Sequence, residues 1–262
     1  TLFSNSVSQT SGKDIDKSYK MAEGIDAASR QAAAESIVML KNDGILPLKA
    51  DETVSLFGRV QSDTFFVGYG SGGDVKPHYK VSFTEGLKNA DVNINKTLLK
   101  KYDTWRKKNV PDDGFWGNWP MCYDEMPLDY NIVSAAAKNS DTALVFIGRA
   151  AGEDRENTPT KGSFYLTDTE EHMLKLVSYC FKKWAVVLNI GNIIDFSWVE
   201  KYSVPAVLIA WQGGMEAGNA LADVVTGKVS PSGALTDTIA KEYKDIPSSE
   251  NFGGKDKNAY TE

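Results

Sequence analysis

The chain has 262 residues, of which 42% are hydrophobic and 24% are charged, with 22 glycines and 9 prolines. This composition is typical of a globular protein and excludes collagen-like, fibrous and wholly disordered chains. The formal net charge of −6 at pH 7 argues against nucleic acid as a partner, because an acidic surface repels phosphate. The apolar runs are far shorter than the ~18–20 residues of a membrane span, so no membrane contact is expected.

The N-terminal residues are small and polar. We predict a leader or linker over residues 1–26 that includes the start of the first helix, and one α/β-sandwich domain over residues 27–262. A helix is predicted from about Ile15 to Lys41, because apolar residues recur there at helical spacing. Gly44 and Pro47 end it. The sequence indicates a soluble protein and leaves open whether it is cytoplasmic or secreted.

Four short apolar, β-branched runs further along the chain are predicted to be strands: Thr53–Phe57, Thr142–Ile147, Ala185–Ile190 and Ala206–Trp211. They are mostly continuous rather than alternating, as expected for strands that are covered on both faces. The predicted helices between them are Asn131–Lys138, Asp168–Lys182 and Met215–Thr226. This alternation predicts an α/β fold with a mostly parallel sheet sandwiched between helices.

Two long segments interrupt this rhythm. Arg59–Tyr79 is rich in glycine, and Val110–Pro127 is rich in proline and aromatic residues. Loops of this length in a compact domain are usually functional or packed on a partner. The aromatic side chains of the second segment fit either a platform for sugar rings or a core or interface cluster. These side chains are Phe115, Trp116, Trp119 and Tyr123.

The strongest catalytic candidate follows the second predicted strand. Ligands bind beyond the carboxyl ends of the strands in open parallel sheets, and Glu153 stands in that position, followed by Asp154 and Arg155. Neighbouring carboxylates raise the pKa of such a group, whereas Arg149 and Arg155 lower it. Glu153 is therefore a candidate general acid or base. The alternative is a solvated, charged loop.

The glycine run Gly68–Gly73 is a poor nucleotide site, because it does not leave a strand directly or open a helix. A loop at the edge of a substrate site, or a plain turn, is the better interpretation, and His78 in this loop is a candidate ligand contact. Cys122 and Cys180 are far apart and lack the closely spaced partners of a zinc site. We therefore predict two free thiols and no metal, nucleotide or other cofactor.

Six motifs occur in a characteristic order: Ala33–Leu48, Gly70–Gly72, Gly152–Asp154, Leu188–Gly191, Trp211–Glu216 and Gly227–Leu235. Together they resemble the second domain of family-3 glycoside hydrolases, and most closely that of the β-glucosidase-like members. The resemblance extends over nearly the whole chain.

The resemblance implies an α/β-sandwich domain packed on a (β/α)8 barrel in cis or in trans, with the active site of a retaining, exo-acting β-glycosidase between them. It implies that a barrel aspartate is the nucleophile, that Glu153 is the acid/base, and that a β-linked oligosaccharide or glycoside is the substrate. It makes Asp154, Arg155, Ser71 and His78 candidate supporting residues. Since this chain is too short to contain the barrel, we expect it to be nearly inactive alone.

Two alternatives remain at this stage. The chain would otherwise be a non-catalytic module that binds carbohydrate or a protein, or an α/β nucleotide-binding protein. Glu216 would be either a second acid that supports Glu153 or a carboxylate stabilised at the start of a helix. The resemblance leaves the sugar unassigned.

Overall fold

The computed structural model describes residues 22–70, 73, 75, 77–112, 114, 118–153 and 157–249. The helices within these residues are α1 (Ile25–Ser36), α2 (Phe83–Asn89), α3 (Lys96–Arg106), α4 (Tyr130–Lys138), α5 (Asp168–Cys180), α6 (Ser197–Lys201) and α7 (Ala217–Val225). The strands are β1 (Val38–Asn42), β2 (Thr53–Phe57), β3 (Asn93–Ile94), β4 (Thr142–Arg149), β5 (Trp184–Ile190) and β6 (Ala206–Ile209). Short 3₁₀ turns occupy Arg59–Gln61, Gly214–Glu216 and Tyr243–Asp245.

The strands form one sheet in the order β1-β6-β5-β4-β2-β3. Every neighbouring pair is parallel except β1 and β6, which are antiparallel. The predicted mostly parallel sheet between helices is therefore confirmed. No helix in the described part of the chain combines the length and apolar character needed to cross a bilayer.

The central strands are apolar along their whole length because helices cover both faces of the sheet. Every residue of β4 is buried. Leu144 and Phe146 point into the core shared with α1, α2 and α7. Val145 and Ile147 point into the opposite core, which contains side chains of α3, α4 and α5. A continuous apolar run is what such a strand requires.

The first helix differs from the prediction. α1 ends at Ser36, Ile37 is extended, and the next five residues form β1 instead of the last turns of a helix. These five residues lie beyond the apolar periodicity of the helix, and they pair with β6 because the edge of the sheet offers them both hydrogen bonds and a buried surface. Residues 15–21 and most of the predicted leader lie outside the described residues, so the proposed domain boundary stays a prediction.

Two helices, α2 and α3, were not predicted from the sequence. α2 begins with a capping box in which Ser82 and Glu85 bond each other's backbone N–H groups, and this signature is visible in the sequence. The side chain of Asn95 caps α3 by accepting hydrogen bonds from two backbone N–H groups. Capping residues therefore mark the starts of both helices, although apolar periodicity did not reveal them.

Candidate active site

Glu153 lies on a short extension of β4 beyond the carboxyl edge of the sheet. The backbone N–H of Tyr69 donates to the carbonyl oxygen of Ala151 (2.8 Å), and the N–H of Glu153 donates to the carbonyl oxygen of Tyr69 (3.2 Å). Tyr69 and Gly152 consequently form an isolated parallel bridge. The loop that follows β2 thus fixes the backbone of Glu153, while the Glu153 residue is exposed. A carboxyl group that is exposed and held on a fixed backbone can be presented to the reacting atom of a substrate as a general acid or base.

A buried amide on β5 holds the neighbouring loops together. The Oδ1 atom of Asn189 accepts from the N–H of Phe65 at 2.7 Å, and its Nδ2 donates to the carbonyl oxygens of Phe65 (2.9 Å) and Trp211 (2.7 Å). Asn189 has no exposed surface, so these bonds satisfy a polar group that would otherwise be costly to bury. Sequence analysis gave Asn189 no role, although an amide within an apolar strand is a visible signal.

Arg149, at the end of β4, does not serve the role that the sequence suggested. Its guanidinium is fully buried and forms a two-pronged ion pair with Glu170, with both N···O distances at 2.7 Å. Burial lowers the pKa of Arg149, but the Glu170 carboxylate more than compensates and raises it overall. The positive charge of Arg149 is therefore paired with Glu170 in the first turn of α5. The predicted effect of Arg149 on the pKa of Glu153 is replaced by this ion pair.

A pocket of about 380 Å³ is lined by Tyr69, the residue that pairs with the strand extension. The aromatic rings of Tyr69 and Trp119 stack with centroids 5.4 Å apart and an interplanar angle of 4°, and those of Phe65 and Tyr123 stack at 4.6 Å. Trp119 is only 6% exposed. Trp119 and Tyr123 therefore pack on Tyr69 and Phe65 of the loop after β2. All four side chains line the pocket. Lys80 also lines it.

Of the candidate supporting residues from the sequence, His78 is the one that lies among the described residues. His78 is exposed and follows Pro77, which lines the pocket. Ser71, Asp154, Arg155, Phe115 and Trp116 lie outside the described residues.

Glu216 is a buried structural carboxylate at the start of α7. It accepts hydrogen bonds from the hydroxyl of Tyr79 (2.6 Å) and from Nδ2 of Asn219 (2.7 Å). The bond to Glu216 raises the pKa of Tyr79 to about 12. Of the two roles considered for Glu216, the helix-start carboxylate is the one its contacts fit, because they tie α7 to the loop before α2.

Both cysteines are free thiols in the structure. Burial raises the pKa of Cys122 to about 11. The described residues contain no cluster of three or more histidine, cysteine, aspartate or glutamate side chains arranged to hold a metal ion.

Comparisons with known proteins extend these observations. The family model described as "Glycosyl hydrolase family 3 C-terminal domain" matches residues 37–262. A β-glucosidase of Ruminococcus albus is 43% identical over 230 residues, which cover 87% of this chain and 24% of that protein.

Two solved structures share the fold. A β-glucosidase from Paenibacillus barengoltzii superimposes with a TM-score of 0.86 at 44% identity, covering 89% of this chain and 26% of that one. The glucose complex of β-glucosidase 3B from Thermotoga neapolitana gives a TM-score of 0.78 at 36% identity, covering 87% of this chain and 32% of that one. The chain therefore spans about a quarter to a third of the length of these relatives.

Proposed function

Because the chain belongs to the C-terminal domain family of family 3 glycosyl hydrolases, we propose that it supplies the acid/base carboxyl, Glu153, of a retaining, exo-acting β-glycosidase. The relatives' name of β-glucosidase makes a terminal β-linked glucoside the first substrate to test. A (β/α)8 barrel, in cis or in trans, would supply the nucleophilic aspartate and most contacts to the sugar. The site would form between the two domains.

The position of Glu153 is the observation that carries this proposal. The carboxyl leaves the sheet at its carboxyl edge, on a backbone fixed by Tyr69, where a docked barrel could bring a sugar. In the first step Glu153 would give its proton to the glycosidic oxygen as the barrel aspartate attacks the anomeric carbon. In the second it would take a proton from the water that releases the sugar.

The two carboxyl groups of a retaining glycosidase lie about 5–5.5 Å apart. In our proposal this chain contributes only one of them, so we expect the isolated chain to be nearly inactive. The pocket is lined by Tyr69, Trp119 and Tyr123, and the backbone of Tyr69 pairs with the strand extension, which favours placing the leaving group on that side.

Four further residues are proposed to support Glu153. Asp154 and Arg155 follow it directly, and Arg155 would orient its carboxyl or a sugar hydroxyl. Ser71 stands two positions after Tyr69 in the sequence, and Tyr69 pairs with the strand extension. His78 lies in the loop that carries Pro77 of the pocket wall.

The test uses a chimera in which this chain replaces the matching domain of the Ruminococcus albus β-glucosidase. Glu153→Gln should lower kcat/KM for phenyl β-glucoside by about 10²–10⁴-fold. It should affect 2,4-dinitrophenyl β-glucoside much less, because that leaving group needs little protonation. Azide should restore turnover of the activated substrate by displacing the aspartate from the glycosyl–enzyme, which yields the β-glycosyl azide.

Glu200→Gln, which alters an exposed carboxylate on α6, is the matched control and should leave both rates unchanged. An unchanged rate for phenyl β-glucoside in the Glu153→Gln chimera would eliminate the acid role. Calorimetry of the isolated chain with glucose, xylose and cellobiose tests the alternative, since micromolar binding together with an inert chimera would identify a non-catalytic carbohydrate module.

A further inference from the structure

Arg59 is a buried cation at the start of the loop that follows β2. It is only 2% exposed, and its Nε donates to Oδ2 of Asp63 at 2.8 Å. Its other guanidinium nitrogens donate to main-chain carbonyl oxygens, those of Asp124 (3.0 Å) and Asn109. A guanidinium can serve several acceptors at once because its donors form a rigid, planar fork.

The acceptors of Arg59 connect two distant parts of one segment. We call the described residues 107–112, 114 and 118–129, between α3 and α4, the aromatic loop. Asn109 lies near its beginning, and Asp124 lies near its end. The backbone N–H of Arg59 also donates to Oε2 of Glu125 at 2.6 Å. Arg59 therefore fastens both ends of the aromatic loop to the sheet.

Two aromatic rings complete the surroundings of the guanidinium. The Cζ atom of Arg59 lies 5.0 Å from the ring centroid of Trp105 and 5.6 Å from that of Tyr123. Both distances fall within the range of cation–π attraction, which strengthens when the cation is withdrawn from water. The orientation of the Tyr123 ring is thus coupled to Arg59.

Tyr123 connects this anchor to Glu153. Its hydroxyl oxygen lies 3.2 Å from that of Tyr69, and the backbone of Tyr69 bonds Ala151 and Glu153 on the strand extension. The aromatic loop has a second attachment to the same extension, because the carbonyl oxygen of Met121 accepts from the N–H of Ala150 at 2.7 Å. A continuous series of contacts therefore runs from Arg59 through Tyr123 and Tyr69 to Glu153.

We propose that Arg59 and Tyr123 are positioning residues that hold the Glu153 carboxyl at the leaving-group oxygen by fixing the aromatic loop and Tyr69 against the β4 extension. This inference rests on the proposed function of Glu153. The ion pair with Asp63 accounts for only one of the contacts of Arg59. Its contacts with Asp124 and Tyr123 lie in the aromatic loop, and Tyr123 leads through Tyr69 to the strand extension.

The test uses the same chimera and the same two substrates. Tyr123→Phe removes the hydroxyl that contacts Tyr69 and keeps the ring that packs on Phe65 and Arg59. We expect kcat/KM for phenyl β-glucoside to fall about tenfold, and that for 2,4-dinitrophenyl β-glucoside to change less than about twofold, since small displacements of a catalytic group cost rate steeply. Arg59→Lys keeps the charge and loses the fork, and should show the same selectivity with a larger loss, of about 10²-fold.

Tyr179→Phe is the matched control, because Tyr179 is 78% exposed on α5, and it should change neither rate. If Arg59→Lys fails to fold, Tyr123→Phe alone decides. If Tyr123→Phe and Arg59→Lys lower both rates equally, or lower neither, the positioning role is overturned. The acid role still stands in that case, provided that the loss in Glu153→Gln depends on the leaving group. If Glu153→Gln itself shows no such dependence, the proposed function fails and the positioning role fails with it.

Discussion

Gly70 lies so close to the side chain of Glu153 that a side chain at position 70 would clash with it. A Cβ atom on Gly70 would lie 2.5 Å from Cβ of Glu153 and 2.9 Å from its Oε2. Gly70 also has a φ of 114°, a backbone conformation that favours glycine. Position 70 therefore requires glycine for two separate reasons, and only one of them concerns Glu153.

Gly70→Ala and Gly44→Ala separate these two reasons. Gly44 also has a positive φ, of 82°, but a Cβ atom there would meet nothing within 4 Å. Gly44→Ala should lower the free energy of unfolding by about 1–2 kcal/mol, because alanine tolerates a positive φ poorly. Gly70→Ala should lower it by more, because the clash with Glu153 adds to the backbone strain. Only Gly70→Ala should displace Glu153, and in the chimera it should lower kcat/KM for phenyl β-glucoside about 10²-fold.

Urea unfolding and initial rates measure the two effects. A Gly70→Ala chimera that is as active as the Gly44→Ala chimera would show that the contact with Gly70 does not set the position of the Glu153 carboxyl.

The buried ion pair between Arg149 and Glu170 should be important for stability. Glu170→Gln leaves the Arg149 guanidinium buried without its counter-charge, and should lower the free energy of unfolding by about 3–5 kcal/mol. Glu171→Gln is the matched control, because Glu171 pairs with Lys201 at the surface and should cost less than about 1 kcal/mol. Equal losses in urea unfolding would contradict the assignment of Arg149 to a structural ion pair.

Glu125 should make the stability of the fold depend on pH. Burial raises the pKa of its carboxyl from 4.5 to about 8, against the hydrogen bonds donated by the N–H groups of Arg59 and Met126. The folded chain thus binds this proton more tightly than the unfolded chain, so the free energy of unfolding should fall as the pH rises from about 4.5 to 8. Urea titrations between pH 6 and pH 9 should show this decline, and Glu125→Gln should flatten it. A parallel decline in the variant would assign the effect to another group.

Cys122 should be a slow nucleophile in the folded protein. With a pKa of about 11, only about 0.1% of it is thiolate at pH 8. Iodoacetamide should therefore label Cys122 in the native chain many times more slowly than in the chain unfolded in urea. Mass spectrometry of the labelled peptides measures the ratio, and equal rates in the two states would show that burial does not suppress the thiolate.

Local pattern was sufficient for the central strands and for the position of Glu153 at the edge of the sheet. The runs that became β4 and β5 are apolar throughout, and helices cover both of their faces in the structure. Glu153 was identified because it follows the end of a predicted strand, and the chain brings it to the carboxyl edge of the sheet. These are properties of residues that are neighbours in sequence.

Local pattern failed where the partner is distant in sequence. Residues 38–41 were predicted as the end of the first helix, yet Val38–Asn42 forms β1 and pairs with β6. Arg149 was assigned to Glu153 nearby in the chain, but its partner is Glu170 on α5. In both cases a contact formed on folding decided the outcome, and the residues nearby in sequence did not show it.

The order of apolar and polar residues along the chain is thus enough to specify the fold class, the mostly parallel sheet and the loop that bears Glu153, because periodicity and capping act over a few residues. Only the tertiary structure shows that Arg59 and Asn189 fasten the loops around that carboxyl. Their hydrogen-bond partners lie up to 124 residues away, and such bonds depend on the packing of the whole sheet instead of on any local pattern.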